Sequence, residues 1–193
     1  MLEVLETDLI QRAQQGDAEV IGALYEQYYR HIFRYLYYRV GDPGTAEDLT
    51  SEVFLRMLSF LKRYRSERSR PKGGSAGSPF QAWLFQIARN LAIDHYRKMS
   101  LRDHAQLEEN LASPEDDPDG QLHQGLTSQA LRQALSRLLE DQRDVVVLRF
   151  VVGLPVQQVA QTLHKSEDSV KGLQRRGLIA LRTILKEWEI TYV

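Results

Sequence analysis

Glu47, Asp48 and Glu52 put three carboxylates on adjacent turns of one helix-forming stretch. Such a group could hold a divalent cation or move protons. No histidine joins it, and the helix dipole favours acids in a first turn without any ligand. It reads as a solvated or protein-binding face. His31, His95, His104, His123 and His164 stand at no ligand spacing, and Cys 0 removes thiol nucleophiles, disulfides and cysteine-bound zinc. Gly73-Gly74-Ser75 follows no strand pattern, which a phosphate-cradling loop requires. No catalytic residue, metal, cofactor or small-molecule substrate is expected.

The cations offer a different chemistry. Lys171, Gln174 and Arg175 fall opposite the apolar positions of the last helical stretch. Gln and Arg can read base edges in a major groove, and Lys can neutralise a phosphate. A helical bundle whose final helix simply carries a solvated basic face fits the same spacing. A second set surrounds aromatic residues: Lys62, Arg63 and Arg65 about Tyr64, then Trp83, Arg89, Tyr96, Arg97 and Lys98. Bases stack on aromatic faces where cations track the backbone, yet Phe80 and Trp83 at helical spacing also suit a core.

The elements that must position these groups are helical. Asp17 can cap a helix over about 18–40, with Val20, Ile21, Leu24, Tyr28, Ile32 and Leu36 on one face. Gly41-Asp42-Pro43-Gly44 breaks it, and Thr45 is placed to cap a second helix carrying Leu49, Val53, Met57, Leu58 and Leu61. Ser78, Pro79 and Gln81 spell a capping box for a third helix, expected to end near Lys98. Facing apolar stripes give these helices one core.

Further on, Leu131, Leu135 and Leu138 form a stripe, and Asp141 is placed to cap a helix bearing Val145, Val146, Leu148 and Phe150. Gly153 stops it, and Pro155 starts a short helix with Val159 and Leu163. After His164-Lys165, Ser166 caps a final helix with Val170, Leu173, Leu178, Leu181 and Leu185. A short helix, a tight turn and a longer basic helix make a helix-turn-helix pattern.

Length and charge complete the outline. At 193 residues, with 42% hydrophobic and 26% charged, the chain suits one domain or two small ones. No apolar run approaches the roughly 20 residues of a membrane-spanning helix. The acidic Met1–Glu6 start lacks signal-peptide features, so a soluble intracellular protein is expected. The net charge of −1 conceals segregation: cations cluster over 62–72, and every charged residue from Asp103 to Asp119 is acidic. With its prolines and glycines, 100–127 reads as a flexible acidic linker between a domain at 1–99 and another at 128–193.

Two stretches together resemble the bacterial sigma-70 family of RNA polymerase sigma factors, in its extracytoplasmic-function (ECF) group. LYEQYYRHIFRYLYYRVGDPGTAEDLTSEVFLRML with FQAWLFQIARNLAIDHYRK is similar to region 2. LSRLLEDQRDVVVLRFVVGLPVQQVAQTLHKSEDSVKGLQRRGLIALR is similar to region 4. The resemblance implies an all-α protein of two small helical domains, a region-2 bundle and a region-4 helix-turn-helix domain. It implies a cytoplasmic, nucleoid-associated factor that joins core RNA polymerase through its β and β′ subunits. That factor opens the −10 element, holding the melted non-template strand, and reads duplex promoter DNA at −35. On matching positions Asp48, Leu49 and Glu52 would face polymerase. Arg63, Arg65, Asn90, Asp94, Arg97 and Lys98 would face −10 DNA, and Ser166, Ser169, Lys171, Gln174, Arg175 and Arg176 the −35 DNA. The resemblance also admits an anti-sigma factor as partner. Here His164 stands where a turn glycine is common, and the loop before Phe80 is long and rich in Gly and Ser.

Overall fold

The computed structural model describes residues 2–65, 78–105 and 122–189, all helix and tight turn, with no strand among them. The basic loop residues Arg68, Arg70 and Lys72 and the acids Glu108–Asp119 lie outside the described residues.

A first helix, α1 (Leu2–Gln14), stands outside the expected set. It buries Ile10 and Ala13, and its Gln14 amide donates to Leu61 O at 2.9 Å and Tyr64 O at 3.0 Å. Those bonds satisfy carbonyls that a helix end leaves open. α2 (Ala18–Val40) starts as expected: Asp17 Oδ1 accepts from the backbone N–H of Glu19 and Val20. It ends at Gly41 with φ 87°, a left-handed cap that costs glycine little.

α3 (Pro43–Leu61) begins earlier than the expected Thr45 cap. Asp42 is the cap, accepting from Thr45 N–H at 2.6 Å. Pro43 takes the first helical position, where its missing N–H has no bond to lose. The run Gly41–Gly44 thus contains both a helix stop and a helix start.

α4 (Pro79–Ala105) opens on the expected capping residue, with Gln81 N–H bonded to Ser78 Oγ at 2.9 Å. The Ser78 hydroxyl also donates to the Glu6 carboxylate of α1. The helix runs past the expected stop near Lys98, since 99–105 contains neither Gly nor Pro. α5 (Leu122–Ser136) likewise starts inside the stretch read as linker.

α6 (Glu140–Val146) has Leu139 before it and no side-chain cap. Asp141 sits in its first turn, not before it, and pairs with Lys165 at 2.9 Å. The helix widens into a π-helical stretch, Val147–Val152, closed by Gly153 at φ 91°. α7 (Val156–Leu163) follows and ends at His164 in the left-handed region, φ 52°. Histidine tolerates this better than β-branched residues, which accounts for a turn without glycine. α8 (Glu167–Glu189) starts at the expected Ser166, whose Oγ accepts from Ser169 N–H at 3.2 Å.

α2, α3 and α4 pack around Ile32, Leu36, Met57, Phe80, Leu84 and Phe85, all essentially inaccessible. α6, α7 and α8 pack around Val145, Val146, Val159 and Val170. The two groups then dock: α2 lies against the π-helical stretch, α4 against α7, and the buried apolar side chains run on from one to the other. Two helical groups were expected; their joint burial was not.

Candidate polymerase and nucleic-acid interface

On α3, Asp48 is exposed, Leu49 is half-buried, and Glu52 is held by Arg56 at 2.8 Å across one helical turn. The helix also exposes Leu55 and Leu58, at 60% and 44%. The apolar spacing places Leu58 in the core stripe, but the buried stripe rotates past it, so acids and leucines share one accessible face. Scattered leucines on a surface are ordinary, but two on one helix beside acids form a mixed patch suited to a protein partner.

The residues expected at −10 DNA occupy two places. Arg63 and Arg65 are exposed just beyond α3, with Arg65 reaching Tyr64 O at 3.4 Å. Asn90, Arg97 and Lys98 are exposed along α4, and Asp94 approaches Arg97 at 3.7 Å. The aromatic neighbours are structural: Tyr64 and Phe80 are buried, and Tyr64 lies 4.7 Å from the half-buried Trp83 ring. Tyr64 and Phe80 therefore offer a base no open face, and Trp83 is only partly accessible. Arg89 and Tyr96, read as part of the same nucleic-acid track, point elsewhere. Arg89 Nε donates to Asp144 Oδ2 at 2.8 Å, and Tyr96 OH donates to Arg39 O at 2.5 Å.

On α8, Ser166 is spent on the cap, and exposed Ser169 stands in the first turn. Lys171 leans 3.4 Å from Asp168, both well exposed, so solvent screens the pair. Arg175 and Arg176 are exposed. Gln174 is half-buried and accepts from Arg149 Nε at 3.2 Å, leaving its amide N–H groups to donate. Leu178, expected inside, is 39% exposed; Gly177 takes the buried position instead, where an added Cβ would meet Val146 at 2.9 Å. This close approach seats α8 on α6 and turns Lys171 and Arg175 outward.

The feature that escaped the sequence lies between the groups. Asp144 on α6, fully buried, accepts from Tyr35 OH at 2.8 Å and Arg39 Nε at 2.9 Å on α2, besides Arg89 of α4. Burial and the Asp144 charge push the Tyr35 hydroxyl pKa well up. Burial alone would lower Arg39, but Asp144, Tyr35, Tyr96 and Glu140 more than offset it and hold the guanidinium above its ordinary value. Arg143, half-buried, is pulled down by desolvation and by the Arg39 charge. Isolated polar residues amid apolar periodicity gave no sign that a carboxylate at 144 and an arginine at 39 would meet. Among the described residues no three His, Cys, Asp or Glu side chains gather as a metal site, and no helix is long and apolar enough to cross a membrane.

Comparison with known proteins matches residues 24–73 to Sigma-70 region 2 and residues 128–181 to Sigma-70, region 4. The ECF RNA polymerase sigma factor BldN of Streptomyces coelicolor is 38% identical over 182 residues, covering 93% of this chain and 66% of BldN. SigX of Bacillus subtilis, also an ECF RNA polymerase sigma factor, is 32% identical, covering 85% of this chain and 82% of SigX. Among solved structures, CnrH in complex with the cytosolic domain of CnrY superposes with TM-score 0.69 at 21% identity, covering 93% of this chain and 96% of CnrH. RpoE of Bartonella quintana, solved with the anti-sigma factor NepR, gives TM-score 0.64 at 20% identity, covering 86% and 96%. At those identities the likeness is one of fold.

Proposed function

The chain belongs to the sigma-70 family, in its ECF group, and from that premise we propose how its parts divide the work of starting transcription. It acts as a promoter-specificity subunit: it joins core RNA polymerase and directs initiation, while bond formation belongs to the polymerase. The observation that carries this reading is the presence, in order in one chain, of region 2 and region 4 matches.

The residue roles follow from chemistry and exposure. The α3 face with Asp48, Leu49 and Glu52, widened by Leu55 and Leu58, is the polymerase-docking surface. Arg63, Arg65, Asn90, Asp94, Arg97 and Lys98 address the −10 element. Extracting a base from the stack costs a few kcal/mol, so cationic support beside the melted strand is needed. Lys171, Arg175 and Arg176, with Gln174 held by Arg149 and Ser166 and Ser169 at the helix start, address duplex DNA at −35. The two domains, set at 1–99 and 128–193, extend toward each other with α4 to Ala105 and α5 from Leu122. Its site of action is the cytoplasm, at the nucleoid. An anti-sigma protein is a fitting partner, since CnrH and RpoE, similar in fold, are each held by another protein.

The test is reconstitution of purified chain with core polymerase on a promoter library, with transcript starts mapped. Starts sharing one pair of upstream elements are expected. Core polymerase giving the same starts without the chain would overturn the reading.

A further inference from the structure

We propose that Arg149 is a positioning residue for promoter reading. It holds the oxygen of Gln174, so that this side chain meets DNA as a donor only and selects a keto base, guanine or thymine, at one position of the −35 element. The inference rests on the −35 reading of α8 above and names the class of base read there.

Geometry fixes the polarity of the amide. Arg149 lies half-buried in the π-helical stretch ahead of α7, and its Nε donates to Gln174 Oε1 at 3.2 Å. A guanidinium only donates, so the oxygen and not the nitrogen of Gln174 must face it. Arg149 is itself anchored. Its Nη1 donates to the Leu154 carbonyl just past the Gly153 turn, and its guanidinium lies 5.9 Å from the centre of the Phe150 ring. Gln174 is half-buried on α8, one helical turn beyond exposed Lys171 and next to exposed Arg175. Residues three and four apart share a helix face, so Gln174 lies beside the two cations assigned to −35 DNA.

The chemistry of the grooves does the rest. In the major groove guanine offers O6 and N7 and thymine offers O4, all acceptors. Adenine sets an N6 amino donor beside its N7, and cytosine offers an N4 amino donor. A glutamine–adenine pair needs the amide oxygen and nitrogen side by side at the base edge, one accepting from N6 and the other donating to N7. With its oxygen turned to Arg149, Gln174 cannot present both. An amide N–H aimed at an amino base meets another donor, and a desolvated donor left without an acceptor is costly. Every base pair carries one keto and one amino base, so the held amide reads which strand bears the keto group.

The experiment titrates the full chain with core polymerase against promoter duplexes in which each −35 position carries all four bases in turn. Wild type should favour G or T over A and C about tenfold at one position, and Gln174→Ala should abolish that preference. Arg149→Met should release the oxygen, so that adenine there binds as well as guanine. Arg149→Lys, still a donor, should keep most of the keto preference. Gln174→Glu sets an acceptor-only head beside Arg149 and should reverse the choice toward C or A, whatever its overall affinity. That variant leaves Arg149 in place and tests the proposal even if Arg149→Met does not fold. An adenine preference in wild type, or Arg149→Met weakening every sequence equally with the keto preference intact, would overturn the proposal. Binding indifferent to the whole −35 sequence would refute the −35 reading and this assignment with it. A −35 dependence untouched by Gln174→Ala would overturn the assignment alone.

Discussion

Asp144 and Arg39, 105 residues apart in sequence, meet at 2.9 Å with neither side chain more than 3% exposed. The pair ties the end of α2 to α6 and so joins the two sigma regions. Removing Asp144 should leave the buried Arg39 with only Glu140, 3.4 Å away and half exposed, as counter-charge. Asp144→Ala is expected to destabilise the folded chain by about 3–5 kcal/mol in urea unfolding, whereas truncating an exposed pair such as Lys171–Asp168 should cost under about 1 kcal/mol. Equal small losses would show that water reaches the cluster freely.

Leu55 is 60% exposed and tests the polymerase face without disturbing the core. Leu55→Asp should leave the thermal midpoint within about the change expected of a surface substitution, roughly 0.5 kcal/mol, while weakening core binding. A hot-spot loss of about 2 kcal/mol, some thirtyfold in Kd by titration, is expected. Unchanged affinity would move the docking surface elsewhere.

Lys171 and Arg175 are exposed at the start of α8 and should fail differently when cut to alanine. Lys171→Ala should weaken −35 binding on every sequence and lower the slope of log affinity against log salt by about one. Arg175→Ala should relax choice at a single base pair, worth about 1–3 kcal/mol. Binding isotherms on base-substituted duplexes separate the two outcomes.

Asp42 supplies a pH dependence whose sign is fixed. Backbone and hydroxyl bonds from Thr45 hold its carboxyl below the usual carboxylate range. A depressed folded pKa stabilises above the unfolded value, and that gain fades as pH falls through the folded value. Asp42→Asn keeps a capping oxygen but no charge. The advantage of wild type over Asp42→Asn in thermal midpoint should therefore be full above about pH 5 and shrink below about pH 4. A constant difference would mean the charge contributes nothing to the cap.

Local signals carried far in this chain. Asp17, Ser78 and Ser166 cap the helices their side chains announced, because capping is decided within three residues. Gly41-Asp42-Pro43-Gly44 signals a break but does not reveal the helix start within it, since Pro and Gly mark both a helix end and a first turn. The apolar stripes found Ile32, Leu36, Val53 and Val170 but also claimed Leu58 and Leu178, which face solvent. A stripe defines a sector of a helix, not which of its flanks finds a neighbour. Arg89 shows the deeper limit: its type and position suited a DNA track, and only the docking of α6 shows Asp144 as its partner. Long-range polar pairing leaves no period in a sequence.

The most direct test of the account is transcription by the reconstituted holoenzyme on one cognate promoter, with the −10 and −35 elements scrambled separately and together. Each single scramble should cut initiation at least about tenfold, and Lys171→Ala with Arg175→Ala should mimic loss of −35 alone. Initiation indifferent to either element, with the chain demonstrably bound to polymerase, would contradict it.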